Sequence, residues 1–263
     1  MGSDLQWLRG SPLSCCRSRR RDVAAAAVLV LVYLVIQPPQ TADAALASCG
    51  SSTANFSGRG YDPSGYKPRG AEAEIDVNAG ALCNGGSGPD TFFTSWVMLG
   101  SGGNGYAQVG HMFKNFGGTS LRFFWEYDQT GSGSFTRVFW GNPVFGNHHN
   151  FRASRHTSDG HIHFTVEGNN PPAGAETNFD PLQQWNNIIA WWSSEVAHTG
   201  SDVPGTPSNK TDYEFVHHKN TSENWQLQNW NLDAFPSPCY FVENEVTSDS
   251  FFRSWTSSPG HTC

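Results

Sequence analysis

Apolar and polar residues alternate in short runs along most of the chain after residue 70. Residues 71–77 read AEAEIDV, so Ile75 and Val77 fall on one face of an extended strand while Glu74 and Asp76 fall on the other. Turn residues recur at intervals typical of a β-sandwich or jelly roll. The pattern predicts strands at 71–77, 95–99, 106–113, 121–128, 135–140, 148–153, 161–167, 187–196, 213–218, 225–230, 239–246 and 251–255, with 182–190 as the place for a helical turn.

Residues 95–128 carry the clearest of these signals. They read SWVML, a glycine-rich turn, YAQVGHMF and then LRFFWEYD, which predicts a hairpin followed by a third aromatic strand. Gln108 lies in the middle of a predicted strand among apolar neighbours. A buried amide there needs hydrogen-bond partners or has a functional role. Alternation places Gln108 on one face with Tyr106 and Gly110. Gln108 and Glu126 are expected to project from neighbouring strands onto one concave surface, or to form a structural hydrogen bond.

Residues 1–47 have the composition of a secretory signal peptide. A basic cluster at 17–21 precedes an apolar run at 23–36, which is shorter than the roughly 20 residues that a membrane-spanning helix needs. The sequence Ala45-Leu46-Ala47 predicts cleavage before Ser48, and hence a secreted, extracellular protein with no stable membrane insertion. The sequence LASC at 46–49 also resembles a lipoprotein box, which would anchor the chain through a lipid on Cys49, and an uncleaved signal-anchor is the third alternative.

Cysteine usage agrees with export. Cleavage would leave Cys49, Cys83, Cys239 and Cys263, and an oxidising destination favours disulfides over free buried thiols. Four cysteines allow three pairings, among which the sequence does not choose. Pairing of Cys49 with Cys83 and of Cys239 with Cys263 would tie down each end of the domain. The absence of a CxxC spacing excludes a redox motif and a zinc knuckle.

Composition narrows the classes of function. The net charge of −7 would repel phosphate backbones, so nucleic acid is not an expected partner. The chain contains 28 glycines and 10 tryptophans, a usage that favours strands and turns and leaves some tryptophans for a groove or exposed platform. The sequence contains no P-loop and no Gly-x-Ser-x-Gly motif.

Three short motifs follow one another on consecutive predicted strands: SWV at 95–97, AQVG at 107–110 and WEY at 125–127. Together they resemble the strand order of the glutamic peptidases (eqolisins). The region is also similar to the neprosin family, which has a Glu before x-Gly and an RFF-type strand like 122–124. The resemblance implies a β-sandwich groove in which Gln108 orients the attacking water and polarises the scissile carbonyl. Trp96 and Glu126 would shape that groove.

The carboxylate that this resemblance requires is expected on the later strand IAWWSSE at 189–195. The eqolisin pattern is Ala-Glu-Trp with a second Glu three residues beyond the Trp. Aligned on Ala190 and Trp192, the catalytic position holds Trp191, and Glu195 matches the second Glu. Residues 191, 193 and 195 share a strand face, so Glu195 is the candidate general base, taking a proton from water in acid.

His161 and His163 with Glu167 have the His-x-His-x3-Glu spacing of a cupin metal motif, and two histidines at i and i+2 share one strand face. The first glycine of that motif is displaced, and no second motif with a third histidine follows. The sequence therefore predicts neither a metal site nor a cofactor.

These patterns predict a signal peptide at 1–47, an irregular arm at 48–70, and a single antiparallel β-sandwich of the concanavalin-like or jelly-roll type at 71–263. The leading hypothesis is a glutamic-peptidase-like endopeptidase, or a degenerate relative, acting in acid on a protein or peptide with Gln108 and Glu195 as catalytic residues. The alternative is a non-catalytic carbohydrate- or cell-surface-binding, lectin-like module. The expected binding residues are Glu126, Trp96, Trp125 and Trp191.

Overall fold

Two antiparallel β-sheets face each other across one apolar core. The structure, a computed structural model, describes residues 49, 54–83, 91–115, 119–169, 171–198, 200–228, 233–234, 240–245 and 248–256. Strand pairings within and between these ranges are antiparallel, and the strands form two separate sheets. The expected all-β sandwich is confirmed.

The described chain forms fourteen strands and one short helix. The strands are β1 (Asn55–Tyr61), β2 (Gly70–Asp76), β3 (Phe92–Gly100), β4 (Tyr106–Asn115), β5 (Thr119–Asp128), β6 (Thr136–Trp140), β7 (His148–Arg155), β8 (Ile162–Val166), β9 (Ile189–Val196), β10 (Thr211–Lys219), β11 (Trp225–Leu227), β12 (Asp233–Ala234), β13 (Tyr240–Glu245) and β14 (Ser248–Thr256). The first sheet has the order β12-β1-β9-β3-β4-β5-β6, and the second has the order β13-β14-β10-β2-β7-β8, with β11 beside β10.

The helix, α1 (Pro181–Gln184), lies at the start of the region expected to hold a helical turn. It begins after Asp180, whose carboxylate accepts a hydrogen bond of 3.0 Å from the Leu182 N–H. Pro181 occupies the first turn, where the missing N–H costs nothing. Across the described ranges, no helix combines the length and apolar character needed to cross a bilayer.

Alternation sends every second side chain of each strand into the core between the sheets. In the first sheet these include Val97 of β3 and Trp192 of β9, and in the second sheet Ile162 and Phe164 of β8. Burying a side chain of this size contributes about 1.5–3 kcal/mol. The core thus fixes which residues of each strand remain for the outer faces.

The outer face of the first sheet carries an apolar cluster of its own. Its buried members are Trp96, Met98, Met112 and Phe124, and its partly buried members are Phe56, Phe92, Tyr106 and Trp191. Strand β3 is consequently buried on both faces over most of its length. An apolar floor therefore lies on the side of the first sheet that faces away from the core.

Part of the segment expected to be an irregular arm is a strand. Strand β1 pairs with β9 over its whole length and with β12 near its end. Gly58 permits this close pairing, because a Cβ there would lie 2.3 Å from the carbonyl oxygen of Trp192. Residues 55–61 of the segment predicted as an irregular arm or edge segment are thus a paired strand near one end of the first sheet.

One of the proposed local disulfides is present. Cys49 and Cys83 are bonded, with their Cα atoms 4.9 Å apart. A disulfide between cysteines 34 residues apart contributes between about 3 and 4 kcal/mol to the free energy of unfolding in the chain-entropy model. The bond also occupies the Cys49 sulfur that a lipid anchor would require. Cys239, Cys263 and the signal peptide at 1–47 lie outside the described residues and stay predictions.

Candidate functional site

An open groove of about 420 Å³ lies over the outer face of the first sheet. The apolar cluster on that face forms its floor. Strand register explains how its polar groups meet: Gln108 of β4 lies opposite Met98 of β3 on one side and opposite Glu126 of β5 on the other. Strand β9 brings Glu195 opposite Thr94 of β3. The charged and amide side chains that line the groove are Gln108, Glu126, Asp128, Arg137 and Glu195.

Gln108 lies at the floor of the groove with 6 % of its surface exposed. Its Nε2 donates a hydrogen bond of 3.4 Å to Oε1 of Glu126. Because a carboxylate only accepts hydrogen bonds, this contact fixes which end of the amide faces Glu126. Among the described residues, the second Nε2 hydrogen and the Oε1 atom of Gln108 have no partner and remain for a ligand.

Glu126 is held by its neighbours. The Tyr106 hydroxyl donates to Oε1, and Nε of Arg137 donates to Oε2 in an ion pair. Burial and the nearby Glu126 charge raise the pKa of Tyr106, so the phenol keeps the proton that it donates. With its acceptors already occupied, Glu126 is suited to positioning Gln108 rather than to reacting.

Arg137 is enclosed by aromatic rings as well as by the carboxylate. Its guanidinium carbon lies 5.9, 4.6 and 6.0 Å from the ring centres of Phe92, Phe135 and Phe139. Rings at this distance attract a cation through their negative faces. The arginine is thereby fixed on β6 with its charge directed at Glu126.

Glu195 has a different environment. Its Oε2 accepts a hydrogen bond of 3.0 Å from the indole Nε1 of Trp96. Burial raises the pKa of Glu195 to about 7; the Glu126 charge adds to this effect, while the Trp96 hydrogen bond and Arg137 oppose it. A carboxyl group with this pKa exchanges protons near neutral pH, as a general acid or base must.

Two glycine-rich turns form one end of the groove. Asp128 accepts hydrogen bonds from the backbone N–H groups of Thr130, Gly131 and Gly133 at 2.9, 2.9 and 2.7 Å. Burial alone would raise the pKa of Asp128, but these N–H groups lower it. A Cβ on Gly131 would lie 2.3 Å from the Gly103 carbonyl oxygen, so the two turns are in close contact. The Asp128 carboxylate therefore holds the turns at this end of the groove in place.

The structure brings together most of the site residues predicted from the sequence. Trp96 is 1 % exposed, so it supports the floor and binds Glu195 instead of presenting its ring to a ligand. Trp191 is partly exposed in the groove. The predicted residues that line the groove are Gln108, Glu126, Glu195, Trp96 and Trp191.

Trp125 does not belong to this site, which corrects its expected binding role. It follows the opposite parity of β5 and is buried in the core, where its ring stacks on Phe164 at 5.5 Å between centres. The sequence prediction also missed two residues that hold Glu126. Tyr106 could have been found because it shares the face of Gln108, whereas Arg137 depends on the register between β5 and β6.

Comparisons with known proteins were made by sequence and by structure. No protein-family model and no curated protein matches the chain. One similar solved structure is an immunostimulatory antigen and pseudo β-1,3-glucanase of Mycobacterium tuberculosis, at 11 % identity and a TM-score of 0.35 over 78 % of this chain and 75 % of that one. Another is the κ-carrageenase of Pseudoalteromonas carrageenovora, at 10 % identity and a TM-score of 0.28 over 73 % of this chain and 65 % of that one.

These similarities are too low to carry an argument about function. Neither of these two structures is an eqolisin or a neprosin, so the sequence resemblance to those families stays a prediction. The residues that line the groove are therefore the evidence for its function.

Proposed function

We propose that the protein is a hydrolase in which Glu195 and Gln108 act on a carbonyl group of a polypeptide lying in the groove. The observation that carries the proposal is that these two residues, distant in sequence, line the same cavity. One is a carboxyl group with a pKa raised to about 7, and the other is an amide oriented by a carboxylate. The resemblance to glutamic peptidases assigns Gln108 to hydrolysis, whereas Trp191 holds the position of the family's catalytic Glu and Glu195 lies four residues further along β9.

Glu195 serves as the general base. In its ionised form it takes a proton from a water molecule, which then attacks the scissile carbonyl carbon. The Trp96 indole remains on one carboxylate oxygen and leaves the other for that water. After the attack, the carboxyl group returns the proton to the leaving amine.

Gln108 orients the water and stabilises the oxyanion. Its Nε2 has one hydrogen directed at Glu126 and a second that can be donated to the carbonyl oxygen as negative charge develops there. Its Oε1 can accept a hydrogen bond from the attacking water. The role of Glu126, Tyr106 and Arg137 is to hold this amide in one orientation.

The raised pKa sets the pH range. A general base must be ionised, so we expect the rate to rise with pH and to reach half its maximum near pH 7. This moves the working range away from the acid conditions expected from the sequence. A rate that instead falls through this pH would assign Glu195 the role of general acid.

The apolar floor favours a polypeptide substrate with bulky apolar side chains. Phe56, Phe92 and Trp191 border the groove and are partly exposed, so they can cover such side chains. The openness of the groove to solvent suits an extended chain better than a small enclosed ligand. The predicted export would deliver the protein to extracellular substrates.

A second candidate function is carbohydrate binding without chemistry. It is favoured by Trp191, which is partly exposed in the groove that Gln108 and Glu195 also line. An aromatic ring can stack on a sugar face while amide and carboxylate groups bind hydroxyls. In this alternative Glu195 would bind a hydroxyl and take no part in proton transfer.

One experiment separates the two functions. The purified chain is incubated with denatured casein from acid to mildly alkaline pH, alongside Glu195→Gln and Gln108→Ala. We expect losses on the order of 10²–10⁴-fold for the first variant and on the order of 10²–10³-fold for the second. Glu167→Gln and Gln226→Ala, both exposed outside the groove, are the matched controls and should retain full activity.

Three other outcomes of this experiment would change the proposed function. No cleavage at any pH, or cleavage that neither groove variant reduces, would refute the peptidase. Binding to immobilised polysaccharides that Trp191→Ala abolishes and Glu195→Gln preserves would establish the carbohydrate-binding alternative. Release of reducing sugars that depends on Glu195 would retain the hydrolase and change its substrate class.

A further inference from the structure

A cluster of histidine and carboxylate side chains lies beside the hairpin that joins β7 and β8. Nε2 of His163 is 2.9 Å from Oδ2 of Asp159 and 2.9 Å from Oε2 of Glu176. Asp159, His161 and Glu176 each place one ligand atom within 4.8 Å of the others. Three possible metal ligands therefore share one small volume outside the groove, and His163 contacts two of them.

The backbone holds these side chains in place. Within the hairpin, the His161 N–H donates to Oδ1 of Asp159 at 2.8 Å, which leaves Oδ2 directed at His163. Gly160 adopts a positive φ of 81° and so allows the tight turn. His163 and Glu176 face each other in a β-bridge, supported by a bond of 2.9 Å from Phe164 N to the Ala175 carbonyl. The ligand atoms are thus pre-arranged by backbone pairing.

The cluster has unsatisfied bonding capacity. Nδ1 of His161 is shielded from solvent and has no hydrogen-bond partner among the described residues. The carboxylates of Asp159 and Glu176 bring negative charge together at this point. An imidazole that binds a metal is neutral, so it does not offset that charge. The ring of His156 stacks on His163 at 3.8 Å between centres and limits how that ring can turn. A bound cation would balance the charge.

We propose that Asp159, His161 and Glu176 form a site for a first-row divalent cation of the zinc class, with His163 as the fourth ligand. Imidazole nitrogens and carboxylate oxygens are donors that Zn²⁺ accepts in tetrahedral sites. Neighbouring ligand atoms in such a site lie roughly 3.3 Å apart, given metal–ligand bonds of about 2.0–2.1 Å. The atoms of Asp159, His161 and Glu176 lie within 4.8 Å of one another, and Nε2 of His163 is at hydrogen-bond distance from both carboxylates, so binding needs a small contraction of the first three and release of those two bonds. Ca²⁺ prefers six or more oxygen ligands and is not the expected ion.

The site differs from the cupin motif that the sequence suggested. His161 and His163 belong to both, but the carboxylates are Asp159 and Glu176 in place of Glu167. Glu176 lies on a segment after the strand, and its position follows from the bridge to His163. Sequence spacing alone could not have identified it.

The metal would act on stability and not on the groove chemistry. It would join the β7–β8 hairpin to the neighbouring segment at 174–177. Because Ile162 and Phe164 point into the core, His163 lies on the outer face of the second sheet. The groove lies on the outer face of the first sheet, across the whole sandwich.

The test uses the purified full chain after removal of metals with a chelator. Titration with Zn²⁺ is followed by calorimetry, and titration with Co²⁺ by its visible absorption, which reports the coordination geometry. We expect one equivalent to bind, tetrahedral Co²⁺ bands to appear, and the unfolding temperature to rise with Zn²⁺. Glu176→Gln and His163→Gln should each weaken binding by about tenfold or more.

His148→Gln is the matched control, since His148 is an exposed histidine that pairs with Glu74 at 3.1 Å away from the cluster. Its Zn²⁺ affinity should equal that of the unmodified chain. Glu176 is itself exposed enough for its glutamine variant to fold. The proposal is overturned if Zn²⁺ does not bind saturably, if Glu176→Gln leaves the affinity unchanged, or if Ca²⁺ binds in preference.

Discussion

The indole Nε1 of Trp96 donates a hydrogen bond of 3.0 Å to Oε2 of Glu195, across two strands that are far apart in sequence. The antiparallel pairing of β3 and β9 brings the two side chains to the same face of the sheet. A donor to an ionised carboxylate stabilises the charged form, so Trp96 opposes the rise in the Glu195 pKa that burial causes. The proton affinity of Glu195 is thus set by a neighbour that need not touch the substrate.

Replacing Trp96 with phenylalanine should shift the pH dependence of hydrolysis. The variant keeps an aromatic ring in the floor and loses the N–H donor, so the pKa of Glu195 should rise by about one unit or more. We expect the midpoint of the kcat/KM profile to move to higher pH by that amount. The measurement is the full pH–rate profile. An unchanged midpoint with a lower maximum would mean that Trp96 only supports packing.

Glu195→Gln should stabilise the fold at neutral and higher pH. The folded-state pKa of about 7 exceeds the ordinary value of 4.5. Between these two pH values the folded chain binds more protons than the unfolded chain, so the protein loses stability as the pH rises through this window. Above that window the variant should gain about 2 kcal/mol in unfolding free energy, which allows for solvent in the groove. Urea unfolding of the unmodified chain and the variant, below and above this window, measures the difference in stability. Below pH 4.5 we expect no difference. Equal stability at all pH values would contradict the raised pKa.

Arg137→Met should destabilise the protein because it leaves the Glu126 carboxylate buried without its cation. The side chain of Glu126 is 2 % exposed, and loss of a buried ion-pair partner costs about 3–5 kcal/mol. The double variant Arg137→Met with Glu126→Gln removes both charges and should recover much of that loss. Unfolding free energies of the four proteins complete a double-mutant cycle. Additive losses would show that the pair is not coupled.

His111→Leu should protect the fold in acid. Neither ring nitrogen of His111 has a hydrogen-bond partner in the described structure, and burial, assisted by His149, lowers its pKa to about 3. The unfolded chain, with an ordinary pKa of 6.5, binds the proton more readily between these values, so stability falls as pH falls.

The unmodified protein should therefore lose about 3 kcal/mol between pH 6.5 and pH 4 that the His111→Leu variant keeps. Chemical unfolding at these two pH values measures the difference. His149→Leu, with a partly exposed histidine, is the comparison variant and should give a smaller effect. If His111→Leu loses as much stability as the unmodified chain, another group carries the acid sensitivity.

Strand alternation was enough to predict much of the groove. It placed Gln108 and Tyr106 on one face of β4 and Glu126 on the matching face of β5, and the structure pairs Gln108 directly with Glu126. The same alternation placed Trp125 on the opposite face, so its assignment to binding conflicted with the pattern. The facing residues of hairpin strands can be predicted from alternation because strands that pair in a hairpin are also neighbours in sequence.

The remaining features depend on pairings between distant segments. The position of β9 between β1 and β3 brings Glu195 to Trp96, and no local pattern encodes that order. Strand β1 was missed because its two glycines, Gly58 and Gly60, weaken the strand signal while they permit close pairing with β9. The pKa of Glu195 depends on that burial and so could not be predicted either.

The ion pair of Arg137 and Glu126 has a consequence for solubility. Strand β6 ends the first sheet as far as the chain is described, and an open edge can recruit a strand from another molecule. Phe139 of β6 and Phe135, which directly precedes the strand, are exposed by 37 % and 49 % and would favour such association. The side chain of Arg137 between them is only 14 % exposed and is paired with Glu126, so it places little charge on this edge. The arginine that orders the groove thus leaves an aromatic edge on which another molecule could pair.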